Sequence, residues 1–182
     1  MTGYSHITLK RDCEAIEIPS GAHRSLPVGT GVRVMQFLGN SYTVASDYGM
    51  FRIDVKDADS LGLTPSPATA APAPAEQIFS EKLVWDQLKT VYDPEIPVNI
   101  ADLGLIYSCI TSSLGPDAHR IDIQMSMTAP GCGMADVLKS DVEKKLSGLP
   151  GVKEVHVQIV FDPPWSPGRM SEAAKLQLGF DL

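Results

Sequence analysis

The chain has 182 residues, 43% of them hydrophobic and 20% charged, which is an ordinary composition for a folded globular protein and enough for one medium domain or two small ones. Its net charge is −7, with six basic against seven acidic residues over 1–63 and nine against fifteen over 76–182. There is no basic stripe, so nucleic acid is excluded as the expected partner.

The cysteines are three, Cys13, Cys109 and Cys132, neither an even set nor a CxxC pair. That argues against a secreted disulfide scaffold and against a zinc finger. The opening stretch MTGYSHITLKRDCE has no apolar signal-peptide core. Nothing approaches the ~20 apolar residues of a membrane span. The expectation is a cytoplasmic, reduced protein with no membrane partner.

In chain order, the first module (1–63) carries short β-type runs at Ala15–Ile18, Val32–Leu38, Ser41–Ala45 and Met50–Val55, separated by SG, PVGTG, GN and DYG turn signals. This predicts a small all-β unit, partly closed or barrel-like, without a helix. Thr64 to Ala75, TPSPATAAPAPA, alternates Pro and Ala and reads as a stiff extended linker. The third segment, 76–182, alternates in type. Glu76 to Val91 is a helix with Val84, Leu88 and Val91 on one face. Leu105 to Thr111 is a strand, and Arg120 to Met127 is another, with Ile121, Ile123, Met125 and Met127 on one side and Asp122, Gln124 and Ser126 on the other. Gly133 to Leu146 is a helix burying Met134, Val137, Leu138, Val142 and Leu146. Val155, Val157, Ile159 and Phe161 mark a further strand, and a last short helix starts at a Ser171 cap. The expected fold class is α+β: a small N-terminal all-β module, then an α-β-β-α-β-α sandwich with helices on one sheet.

Three stretches carry candidate chemistry. Met127-Thr-Ala-Pro-Gly-Cys-Gly-Met134 lies where a strand gives way to a helix, and Cys132 falls at or near the first helical turn. Free backbone N–H groups and the helix dipole favour an anion there, and can lower a thiol pKa from about 8.5 toward roughly 3.5–7.5. Such a thiolate can ligate a soft metal or attack an electrophile, with the Thr128 hydroxyl holding a bound group. From spacing alone, a small buried cysteine in a tight turn fits equally well. Cys109, inside an apolar strand, is expected in the core, and Cys13, in the polar stretch Arg11–Glu14, is expected to be exposed. Asp93-Pro-Glu-Ile-Pro97 and Asp102-Leu-Gly-Leu105 are rich in carboxylates. Asp93 and Asp102 can cap backbone N–H groups, whereas Glu95 has no structural task. Should Asp102 or Glu95 meet Cys132, a mixed sulfur and oxygen metal site results. Phe161-Asp-Pro-Pro-Trp-Ser-Pro-Gly-Arg-Met170 is a rigid loop that serves either as a recognition surface or as a lid over the core. Gly29-Thr-Gly31 is no dinucleotide fingerprint, and there is no P-loop. His6, His23, His119 and His156 share no ligand spacing.

The stretches DPEIPVNIADLGLIY, MTAPGCGM and VFDPPWSPGRMSEAAKLQLGF closely resemble the SufT-type proteins of iron–sulfur cluster assembly. Their C-terminal domain is shared with PaaD-like maturation factors and the eukaryotic cytosolic iron–sulfur targeting proteins. RDCEAIEIPSG, LGNSYTV and FRIDVKDADSLG resemble the extension of SufT itself. The resemblance implies an auxiliary role between cluster scaffold or carrier proteins and client iron–sulfur enzymes. It also implies that Cys132 is the reactive-looking cysteine, lined by Asp102, Thr128 and Glu95, with a transient iron–sulfur cluster or iron as what it binds. Many relatives carry proline after this cysteine; Gly133 stands here, as is common among SufT-like members, and loosens the turn. One cysteine supplies one of the four thiolates a cluster normally takes, so a symmetric homodimer presenting two Cys132 residues is an attractive arrangement. The alternative is a non-catalytic adaptor that recruits clients without metal. An enzyme ranks last, since no base or cofactor loop is evident.

Overall fold

The computed structural model describes residues 6–64, 78–129 and 133–180. The expected linker, apart from Thr64, lies outside the described residues, and so does Cys132. The chain divides into two compact units, residues 1–73 and 74–182.

The first unit is one six-stranded sheet: β1 (His6–Thr8), β2 (Cys13–Ile18), β3 (His23–Leu26), β4 (Gly31–Leu38), β5 (Ser41–Ser46) and β6 (Gly49–Asp54). The order is β1-β4-β5-β6-β2-β3 with every pairing antiparallel. The strands expected from sequence are present, and β1 and β3 are added as short edges. A barrel closure is not seen among the described pairings, because β1 and β3 remain the two ends of the ladder. Alternation packs Cys13, Ala15, Val44, Phe51 and Ile53 into one core with Leu9, Leu26 and Leu61.

Two expectations are corrected here. A 3-10 helix spans Val55–Leu61 where no helix was expected, so Val55 leaves the strand. Asp54 starts it by accepting from the Lys56 N–H (3.0 Å), and Gly62 ends it in the left-handed region (φ 69°). Two short 3-10 turns meeting at a kink at Asp57 (φ −100°) have no 3.6-residue apolar period to betray them. Cys13 is 1% exposed, not at the surface, because its strand pairs it with Leu26 on the core side. Burial pushes its thiol pKa up.

The second unit runs α1 (Glu81–Leu88), β7 (Ile106–Gly115), β8 (Ala118–Met125), α2 (Ala135–Ser147), β9 (Val152–Ile159) and α3 (Glu172–Gln177). The α-β-β-α-β-α order is the expected one. β7 and β8 are antiparallel, and β8 and β9 are parallel across the α2 crossover. Helix α1 starts at Ser80, whose Oγ accepts from the Leu83 N–H (3.4 Å), later than the sequence spacing suggested. Val84, Leu88 and Val91 are buried as expected. So are Ile121, Ile123, Met125 and Met127, which meet Leu138, Val142 and Leu146 of α2 in one core. Each such burial stabilises by about 1.5–3 kcal/mol. Ser171 caps α3 through the Ala174 N–H (3.2 Å).

Here the corrections concern element ends. β9 stops at Ile159, so Phe161 is 47% exposed rather than inward. Val137 is half-buried. β8 ends at Met125, two residues short of the expected Met127, and Ser126 beyond it is fully buried. Among the described residues no helix is long and apolar enough to cross a membrane.

Candidate functional site

The carboxylate-rich connection between α1 and β7 is built on two local devices. Asp93 is buried, and its Oδ1 accepts from the backbone N–H groups of Glu95 (2.8 Å) and Ile96 (3.0 Å). Of the roles open to it from sequence, Asp93 takes the cap. Burial raises its carboxyl pKa above the ordinary value, against the lowering effect of those two N–H groups. Glu95 stands exposed on the same turn. Four residues on, Asn99 Oδ1 accepts from the Asp102 N–H (2.9 Å), and Asn99 Nδ2 donates to Asp102 Oδ2 (2.6 Å). Asp102 is therefore half-buried with one carboxylate oxygen committed to Asn99, not to a backbone N–H.

This connection is covered by the proline-rich segment after β9. Trp165 Nε1 donates to the Leu103 carbonyl (2.8 Å), and the Ser171 N–H donates to the Asp102 carbonyl (2.8 Å). Gly104 adopts φ 69° and lies directly under the Arg169 backbone. The Arg169 guanidinium stacks over the Tyr107 ring at 3.9 Å, and Tyr107 Oη donates to the Pro163 carbonyl (2.9 Å). Tyr107 reaches that far because β7 carries a register shift between Ile106 and Ser108; bulges re-aim a side chain in this way. Of the two roles open to the 161–170 loop, the covering one is occupied: Met170 is buried and Trp165 packs on the core. Trp165→Phe deletes the donor and shrinks the bicyclic indole to one ring, so a loss of about 1–3 kcal/mol is expected in urea unfolding. An unchanged midpoint would mean that the Leu103 carbonyl needs no partner.

The third stretch joins the other two through the two residues just before it, Met125 and Ser126. The Ser126 N–H donates to the Leu105 carbonyl (2.8 Å), and the Val160 N–H donates to the Met125 carbonyl (2.8 Å). The end of β8 is thus held between the Asp102–Leu105 loop and the start of the covering segment. Thr128, two residues later, is half-buried. Of the residues expected at a site, Asp102 and Thr128 flank this junction, Glu95 sits on the preceding turn, and Cys132 lies outside the described residues. Among the described residues, no three His, Cys, Asp or Glu side chains gather as a metal site. Cys109 is half-buried, with its thiol pKa pushed up to about 11 by burial and secondarily by Glu81, so little of it is thiolate at neutral pH and it is a poor nucleophile.

Sequence reading missed Ser126, Asn99 and the Gly104 seat. Gly104 had a signal, a glycine in a loop just before a strand. Ser126 had none. It is the one buried side-chain polar atom without a hydrogen-bond partner among the described residues, a state that costs about 1–3 kcal/mol.

This arrangement of three motif stretches around one strand end lies in a segment with known relatives. The sequence model for the iron–sulfur cluster assembly protein family matches residues 81–158. The chain belongs to that family. A protein of Porphyromonas gingivalis named Fe-S protein maturation auxiliary factor is 44% identical over 105 residues, 58% of this chain and 96% of that protein. The Fe-S protein maturation auxiliary factor YitW of Bacillus subtilis is 40% identical over 104 residues, 57% of this chain and 97% of its own. The Fe-S protein maturation auxiliary factor SufT of Staphylococcus aureus is 34% identical over 89 residues, 49% of this chain and 97% of its own. Matches that cover these relatives almost end to end leave no room in them for a second unit of 73 residues.

Proposed function

We propose that this chain is a non-catalytic auxiliary factor in the maturation of iron–sulfur proteins. It acts in the cytoplasm between a cluster scaffold or carrier and its client enzymes. Its cargo, iron or an iron–sulfur cluster, is held transiently at Cys132. The observation that carries this reading is the junction at Ser126, where the carboxylate-rich loop, the segment leading to Cys132 and the proline-rich cover meet through backbone bonds. A set of fixed loops around one strand end is what a site needs when its ligands come from several parts of the chain.

Support also comes from the names of the relatives, each a maturation auxiliary factor. Cys132 supplies one soft thiolate, and Asp102, with Oδ1 not committed to Asn99, supplies a hard oxygen. Thr128 and Glu95 line the same region. Four ligands are the normal complement of a cluster, so the remainder come from a second copy, a client or a small thiol. Partial ligation of that kind suits a cargo that must leave again. Residues 1–63 form a separate partner-recognition module joined by the 64–75 linker.

The test is anaerobic reconstitution with iron and sulfide, comparing wild type with Cys132→Ser by metal analysis and visible absorption. Uptake by wild type and its loss in Cys132→Ser is the expected outcome. Equal uptake, or none in either protein together with client maturation that survives the substitution, would replace the cargo site with an adaptor that recruits clients without metal.

A further inference from the structure

The edge of a sheet is a row of backbone N–H and C=O groups without a neighbouring strand, and folded chains blunt such rows by shortness, charge or proline. Among the described residues, β1, β3, β7 and β9 are edge strands. Three of them are blunted. β1 and β3 span three and four residues, and β9 carries Lys153, Glu154 and His156, all exposed. β7 is the exception. It runs for ten residues, IYSCITSSLG, with no charged residue and no proline. Among the described residues, no backbone group outside β8 bonds to it. Between its two register shifts, Ser108 to Ser113 pair with β8 without interruption, so this stretch offers a regular row for a further strand.

What fits the row is written in its own order of residues. About Ile110 the strand is nearly a palindrome, with Cys109 answered by Thr111 and Ser108 by Ser112. An antiparallel second copy centred there sets Ile110 against Ile110, Ser108 against Ser112 and Cys109 against Thr111. Alternation keeps these pairs on matching faces. Ser108, Ile110 and Ser112 pair with Gln124, Asp122 and Arg120, whereas Cys109 and Thr111 pair with the buried Ile123 and Ile121. The central pair would cover two isoleucines that are each 57% exposed in the single chain, and β-branched residues directly opposite one another stabilise a sheet. A two-fold contact also sets each surface against itself. A charge on the axis would meet its own sign there, and β7 has none.

We propose that β7 is a self-pairing edge: two copies of this chain join β7 to β7 antiparallel, centred on Ile110, so that two three-stranded sheets become one of six strands. This goes beyond the maturation-factor reading and stands on β7 alone. A dimer that takes up no iron leaves it intact, and iron uptake by a single chain does not rescue it.

Sedimentation equilibrium of the full chain under reducing conditions compares wild type, Ile110→Lys, Ile110→Glu and an equal mixture of the two variants. Wild type is expected at twice the chain mass. Each charged variant sets like charges together on the axis and is expected to raise the dissociation constant roughly tenfold. The mixture sets Lys against Glu and is expected to recover the dimer. Because Ile110 is exposed in the single chain, both variants should keep a cooperative thermal transition. Ile110→Cys gives a second readout that holds even if a charged variant fails to fold. Opposed Cα atoms in an antiparallel pair stand about 4.5–5.5 Å apart, within disulfide reach. Mild oxidation is therefore expected to join two copies through that position, located by peptide mass. A wild type of single-chain mass overturns the proposal, as does a dimer that both charged variants leave intact. So does a dimer lost in each variant but not recovered in the mixture, or an Ile110→Cys protein that forms no disulfide at that position.

Discussion

Gly104→Ala is expected to cost on the order of 4 kcal/mol, near the top of the range for single substitutions. Two penalties combine. Gly104 sits at φ 69°, where an L side chain loses roughly 1–2 kcal/mol. A Cβ there would also run into the Arg169 backbone, with the Arg169 carbonyl carbon at 2.7 Å and the carbonyl oxygen closer still. Backbone cannot swing aside as the end of a flexible side chain does. The covering segment would have to lift, taking with it the Trp165 bond to Leu103 and the Ser171 bond to Asp102. Gly29→Ala is the control: φ is 86° but nothing lies within 4 Å of the new Cβ, so only the conformational cost of about 1 kcal/mol applies. Urea unfolding of the full chain measures both. Equal losses at the two positions would mean that the covering segment is not seated on Gly104.

The contrast between those glycines also marks where sequence reading ends. The helix faces were legible because burial repeats at 3.6 residues: Val84 with Leu88, and Leu138 with Val142. β8 was legible because apolar and polar residues alternate through Ile121, Asp122 and Ile123. β1 and β3, HIT and HRSL, have too few residues to show a period. Their strand character comes from pairing with β4 and β2. Cys13 was read as exposed from its charged neighbours. Alternation buries it while Glu14 beside it stays out, and Arg11 is taken up by Asp57 and Asp59.

At the candidate site, the three motif stretches were visible but not their contacts. Several of those contacts run between backbone carbonyls and groups far along the chain, as from Leu103 to Trp165. Residue type says little about such bonds, since every carbonyl is an equal acceptor. Ser126 falls past the end of β8, so the strand's alternation does not fix its exposure. Past Met125 the ladder with β7 ends, and the closing chain, not the pleat, decides exposure.

Asp93 separates a structural carboxylate from a functional one by its pH behaviour. Asp93→Ala removes the acceptor for the Glu95 and Ile96 N–H groups and is expected to cost about 2 kcal/mol at pH 7. Asp93→Asn keeps a carbonyl oxygen in the same place and is expected to cost no more than about 0.5 kcal/mol. The pH dependence follows from burial, which raises the folded carboxyl pKa above its ordinary 3.8. The folded protein then holds the proton more tightly than the unfolded chain does. The stability this confers is complete below the unfolded value and is lost as pH rises through the raised folded value. Asparagine does not titrate. The stability of Asp93→Asn relative to wild type should therefore rise from about pH 4 upward, and level off once the folded carboxyl is fully ionised. Unfolding midpoints from pH 3 to 8 would show it. A flat difference across that range would mean that the two N–H bonds offset burial completely, and that Asp93 carries its charge as freely as a surface carboxylate.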